Sequence, residues 1–155
     1  MTRPELAQSY FEQGYACSQA LVLAFKDLLD VDDATLKKIA LPFGGGLGRL
    51  RETCGAISGI AIVVGLLFSK EENTEENKTE TYKIVQELVK RFKEKRQTIN
   101  CLELLKAASL EVETGGSPEA RTKEYYAKRP CGKVVYDAAY VLDEYLKEKN
   151  QIKAH

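Results

Sequence analysis

Four cysteines, Cys17, Cys54, Cys101 and Cys131, stand far apart in the chain, and each opens a predicted helix. A helix start carries unpaired backbone N–H groups and a partial positive charge, which favours a thiolate over a thiol. Four such starts brought together make one soft, anionic site suited to a metal ion, an iron–sulfur cluster or thiol redox chemistry. A single free cysteine is commonly an inert small hydrophobe, but packing gives no reason for all four to share a helix start.

The spacings exclude the commoner cysteine devices. Intervals of 37, 47 and 30 residues contain no Cys-x-x-Cys pair, so neither a zinc ribbon nor a thioredoxin-type motif is present. His155 is the single histidine and stands at the last position, which leaves no partner for a Ser–His–Asp or Cys–His pair. Gly44, Gly45, Gly46 and Gly48 precede Cys54 and permit tight turns and close approach to a ligand. That run matches neither phosphate-binding glycine pattern and follows no predicted strand. Arg49 and Arg51 could hold an anion there, though arginines beside a loop are more often solvated. Gly55 and Gly59 share one side of the following helix and leave room for a cluster, another helix or a substrate.

The elements that must position these residues read as helices almost throughout. Pro4 and Glu5 suit a first turn, and that helix stops at Gly14. A second helix starts near Cys17, with Ala20, Leu21, Ala24, Phe25 and Leu28 on one buried face. Asp32 or Asp33 caps a short third helix containing Leu36, Ile39 and Ala40. Cys54-Gly55-Ala56 leads into the longest apolar run, Ala56 to Phe68, expected to be a buried central helix. It is too short to span a bilayer, which takes about 20 residues.

Glu71 to Glu80 reads as a solvated loop, followed by an amphipathic helix with Ile84, Val85, Leu88, Val89 and Phe92 on one face. Its basic end, Lys90 to Arg96, complements the helix dipole. Asn100 and Glu103 fit a capping box that puts Cys101 at the first helical position. Gly115-Gly116-Ser117-Pro118 reads as a stop and a new start, with Ser117 as cap. Pro130 precedes Cys131 and a final stripe of Val134, Val135, Ala138, Val141, Leu142, Tyr145 and Leu146. With no strand alternation, the fold class expected is all-α: a single-domain bundle of about seven or eight helices over residues 1–155.

Composition narrows the function classes. Lys plus Arg (23) equals Asp plus Glu (23), so no overall field draws the chain to nucleic acid or anionic lipid. MTRPELAQSY has no apolar stretch after its charge and reads as mature sequence, so a reducing, cytoplasmic compartment is expected. In that setting, ligand or redox cysteines are a better reading than structural disulfides.

The stretch Gly14-Tyr15-Ala16-Cys17-Ser18-Gln19-Ala20, the glycine run leading to Cys54-Gly55-Ala56-Ile57-Ser58-Gly59, and single cysteines at 101 and 131 resemble the redox-active family named for its C_GCAxxG_C_C pattern. The resemblance covers most of the chain. It implies a small domain with four functional cysteines, Cys17, Cys54, Cys101 and Cys131, with Gly55, Ala56 and Gly59 in the small-residue positions. It also implies association with oxidoreductase or transporter genes, and a similar domain in split-Soret cytochromes whose cysteines are associated with an iron–sulfur centre. No Cys-x-x-Cys-His haem-attachment sequence is present, so the cytochrome part does not carry over.

Three classes of function therefore stay open. The first is an electron-transfer or redox protein, an oxidoreductase or an oxidoreductase-associated electron carrier, whose four cysteines ligate an iron–sulfur cluster of the 2Fe–2S type. There Gly55 and Ala56 would present backbone N–H groups to sulfur. A metal-free dithiol/disulfide protein is its redox alternative. Structural zinc held by the same four cysteines is the second class, and a helical interaction module with inert thiols the third. The expected partner is an unidentified redox protein; the basic Lys90–Arg96 end could dock an acidic one, but a solvated helix end is the expected state of those residues. A homodimer through the apolar helix and its glycines is a second expected assembly.

Overall fold

A computed structural model describes residues 1–152; His155 lies outside the described residues. Eight α-helices run through them: α1 (Arg3–Glu12), α2 (Cys17–Leu23), α3 (Asp33–Ala40), α4 (Gly55–Phe68), α5 (Glu75–Arg96), α6 (Cys101–Ala107), α7 (Lys123–Lys128) and α8 (Cys131–Glu148). Single 3-10 turns occupy Lys26–Leu28 and Leu41–Phe43. The described residues contain no strand, only one isolated antiparallel bridge between Thr53 and Asn100. The fold is all-α.

Capping chemistry sets most of the helix starts. Thr2 Oγ1 accepts from the Glu5 N–H while Glu5 reaches back to the Thr2 N–H, so α1 opens on a capping box. Asp32, Thr74, Asn100 and Thr122 each accept one backbone N–H at the start of α3, α5, α6 and α7. Gly14, at φ 101°, releases the chain after α1.

Helix α2 sits in the middle, packed by α1, α3, α4 and α8. Ser18 to Leu23 are all buried, so this helix is enclosed on every side and not on one face alone. It ends at Leu23, earlier than its apolar pattern suggested, and the Lys26–Leu28 turn carries the chain onward. Two contacts explain why polar Ser18 and Gln19 tolerate burial there. Ser18 Oγ donates to Ala40 O at 2.7 Å, and Gln19 Nε2 donates to Lys37 O at 3.0 Å. Close approach of α2 to α4 rests on Gly59, where an added Cβ would stand 2.9 Å from Leu21 Cβ. On α8 the whole expected apolar stripe is buried.

Several expectations need correction. Helix α5 already begins at Glu75, because Thr74 caps it and Glu75 and Glu76 suit its first turn; the polar stretch has no apolar period to reveal a helix. Ser117 is no cap: residues 108–122 are irregular, and Thr122 opens α7. Asn100 caps α6, but its own N–H goes to Thr98 Oγ1 at 3.0 Å, so Glu103 completes no capping box. Ile39 lies in α3 as expected, on its exposed side. The apolar helix α4 is buried along one side only, and Ala61 and Leu66 face outward. The basic end of α5 is paired and not simply solvated: Arg91 forks onto Glu148 and also meets Glu87, and Arg96 meets Asp137. None of the described helices is long and apolar enough to cross a membrane.

Candidate cysteine site

The structure puts Cys17, Cys101 and Cys131 at the first residue of α2, α6 and α8, and Cys54 at the N-cap of α4. All four line a single cavity of about 350 Å³. Four helix starts, distant in sequence, thus meet around one space. All four cysteines are free.

Local backbone pairing explains how two of them are held. The Cys54 N–H donates to Ile99 O at 2.7 Å, and the Cys101 N–H donates to Glu52 O at 2.6 Å. These bonds flank the Thr53–Asn100 bridge and fasten the start of α4 to the start of α6. Gly46 makes that pairing sterically feasible. An added Cβ would lie 2.7 Å from both Cys101 Cβ and the Glu52 nitrogen, at a φ of +74° that L side chains disfavour. Gly46→Ala is therefore expected to destabilise the protein by about 2–4 kcal/mol, read as a lower denaturant midpoint.

Gly55 has a similar role toward Cys17. A Cβ there would stand 2.6 Å from Cys17 Sγ and 2.8 Å from Phe43 O. Gly55 and Gly59 therefore both face α2, so the helix contact among the options glycine left open on α4 is made. That face is not free for a second copy of the chain. Ala56 is fully buried, and its backbone N–H favours the thiolate of Cys54.

Electrostatics reverse one expectation. Helix starts were to favour thiolates, yet burial pushes the Cys17 and Cys54 thiols up, Cys54 strongly, and lifts Cys131 to about 12. After burial, the largest cause raising Cys54 and Cys131 is the neighbouring Cys17; Cys101 also raises Cys17, Cys54 and Cys131. Opposing contributions come from the Gly45 N–H on Cys17 and from Arg129 and Arg121 on Cys131. Desolvation outweighs the helix dipole because the partial charge at a helix end is small and acts only near the first turn.

Four arginines complete the wall: Arg49, Arg51, Arg121 and Arg129. Arg51 is buried, with 7% of its surface exposed, and Arg49 is mostly enclosed, so both depart from the solvated state expected of them. Both lie in left-handed backbone, φ 64° at Arg49 and 61° at Arg51, in a loop where Gly45, Gly46, Leu47 and Gly48 also have positive φ. The loop thus folds back on itself and brings both side chains to the cavity. Arg121 was not singled out from sequence. It donates to Phe11 O and Tyr15 O at 3.0 and 3.1 Å, with its guanidinium 4.4 Å from the Phe11 ring centroid and 4.9 Å from that of Tyr125. Arg129, also missed, pairs with Glu119 at 2.9 Å. No short motif marks either residue; only the return of 108–122 over the cavity gives them a common place.

The donor set is chemically uniform, four soft sulfurs, and the arginines suit it to a negatively charged centre. As placed, no three His, Cys, Asp or Glu side chains among the described residues form a group that could hold a metal ion. What fits an iron–sulfur group is therefore the donor chemistry and the shared cavity, and not a preformed coordination shell.

An all-α protein with four thiols gathered at helix starts around one arginine-lined cavity is the class that fold and site define. The chain belongs to the family described as putative redox-active protein (C_GCAxxG_C_C), whose model matches residues 15–145. No curated protein and no solved structure matches it.

Proposed function

We propose that this redox-active protein is an electron carrier whose Cys17, Cys54, Cys101 and Cys131 ligate an iron–sulfur cluster of the 2Fe–2S type. The observation that carries the reading is that all four cysteines, from four separate helices, line one cavity. A bound cluster would supply one-electron transfer between the protein and a partner. The chain's own contribution is charge compensation and exclusion of water. Arg51 donates from Nη1 to Cys101 Sγ at 3.8 Å, Ala56 N–H favours negative charge on Cys54, and Arg121 and Arg129 favour it on Cys131. Phe11, Leu104, Leu105 and Val134 supply an apolar wall. Such surroundings stabilise an anionic centre and raise its reduction potential.

Anaerobic purification, an absorption spectrum, and iron, sulfide and zinc per chain test the proposal. Iron and sulfide in similar amounts, with visible absorption that bleaches on reduction, is the expected result. A colourless, metal-free protein after anaerobic reconstitution would sink it. Zinc without colour would transfer the same four ligands to a structural site, and chelation should then unfold the protein.

One observation favours a second reading without metal. After burial, Cys17 is the largest influence raising Cys54, and its sulfur lies beside Gly55, the residue next to Cys54. Cys17 and Cys54 are the pair this reading joins in a disulfide, giving up two protons and two electrons to an external disulfide that is reduced to two thiols. Peptide mapping of oxidised, metal-free protein identifies the pair. A Cys17–Cys54 link is expected, and four free thiols after oxidation would remove this reading.

A further inference from the structure

Residues 109–122 form an irregular strap, and none of them is buried. Yet Gly116, Pro118, Glu119 and Arg121 line the cysteine cavity, so the strap is part of its cover. A cover without fully buried side chains gains little from apolar packing; polar bonds carry most of its hold, and such segments open at low cost. Those bonds come largely from arginines. Arg49 Nη1 donates to Gly115 O at 2.6 Å, Gly115 N–H donates back to Arg49 O at 2.8 Å, and Arg129 pairs with Glu119.

Arg51 differs from the other fastenings because its one guanidinium hydrogen-bonds both the strap and a cysteine sulfur. Its Nε donates to Glu113 O on the strap at 2.9 Å, while Nη1 of the same guanidinium lies 3.8 Å from Cys101 Sγ. The planar guanidinium fixes both donors in one fork, so losing either acceptor frees the group that serves the other. Its backbone is held as well. Arg51 N–H donates to Gly45 O at 3.1 Å, and Arg51 O accepts from Leu102 N–H at 3.4 Å, one residue beyond Cys101.

We infer that Arg51 is a positioning residue that ties the sulfur of Cys101 to the strap 109–122, so that what occupies or alters that sulfur changes how firmly the cavity is covered. The inference goes beyond the proposed electron carrier and needs no metal. It would hold equally for a cluster ligand, a zinc ligand or a redox thiol.

Hydrogen–deuterium exchange of the 109–122 segment in reduced, metal-free protein tests it, with circular dichroism to confirm that each variant is folded. Arg51→Gln is expected to raise exchange about tenfold, the scale of one lost hydrogen bond from a charged donor. Cys101→Ala is expected to raise it by a smaller factor, although no hydrogen bond joins Cys101 to the strap. The double variant should exchange no faster than Arg51→Gln alone. Arg49→Gln should also loosen the strap, but additively with Cys101→Ala, because Arg49 has no sulfur acceptor. Arg51→Lys keeps the charge but not the fork and should fail to restore protection. Wild-type exchange in Cys101→Ala, additive effects of Cys101 and Arg51, or full rescue by lysine would each overturn the inference. Should Arg51→Gln fail to fold, the Cys101→Ala and Arg51→Lys measurements still decide it.

Discussion

Replacing any one of the four cysteines with serine is expected to abolish stoichiometric iron binding and visible absorption after anaerobic reconstitution, while the helical circular dichroism survives. The physical argument has two parts. All four cysteines line the same cavity, so under the proposed four-thiolate ligation each removal would take one ligand from one centre. The fold, by contrast, rests mainly on other residues, although Cys54 belongs to the core and Cys17 and Cys131 pack against it. Its core is built from α1, α2, α4, α5 and α8 around residues such as Leu21, Phe25, Ile60, Phe92 and Leu142. Burying a hydroxyl at Cys54 costs about 1–3 kcal/mol, which lowers the denaturant midpoint without erasing the helices. The pattern across the variants separates the readings. Equal loss in all four supports a four-thiolate centre. Loss of redox activity in Cys17→Ser and Cys54→Ser alone supports the dithiol, and no loss in any of them leaves only inert thiols.

The second large effect is a loss of stability at alkaline pH in the reduced, metal-free protein. Folding raises the Cys131 thiol from an ordinary value near 9 to about 12, so between these values the folded state holds a proton that the unfolded chain releases. The sign follows from linkage. The contribution is fully present below about pH 9, declines as pH rises, and is gone above about pH 12. Each unit of difference corresponds to about 1.4 kcal/mol, so Cys131 contributes up to about 4 kcal/mol. Cys17 and Cys54 are shifted in the same direction and add to the decline. Denaturant midpoints measured across this range should fall steeply, and Cys131→Ser should flatten part of the slope. A flat profile would mean that the thiols are not held out of water. Loading with a thiolate-binding metal should remove this dependence, because the metal takes the place of the protons.

The helix starts at the four cysteines were legible because they rest on local chemistry. Asn100 caps α6 through its own side chain, Pro130 ends the preceding stretch just before Cys131, and the glycines around Cys54 break one element before the next begins. The α8 stripe was legible for the same reason: a period of 3.6 residues is written in consecutive positions. Where local signals pointed to two states, the reading failed. Ser117-Pro118 has the chemistry of a helix start, but 109–122 spans the cavity as a strap. Glu75 to Glu80 looks like a loop because nothing on that turn of α5 needs to be buried.

What the sequence by itself determined is therefore the all-α class, the helix-start position of every cysteine and the small residues that flank Cys54. Only the tertiary structure decided that the four starts converge, that Gly55 and Gly59 are taken up by α2, and that Arg49, Arg51, Arg121 and Arg129 join the wall. It also decided that burial holds the Cys17, Cys54 and Cys131 thiols up, against the local expectation. The reason is range. Caps, turns and periodicity act over a few residues, whereas desolvation and repulsion depend on what the rest of the chain brings to the same cavity, and these raise Cys17, Cys54 and Cys131 despite their helix-start positions.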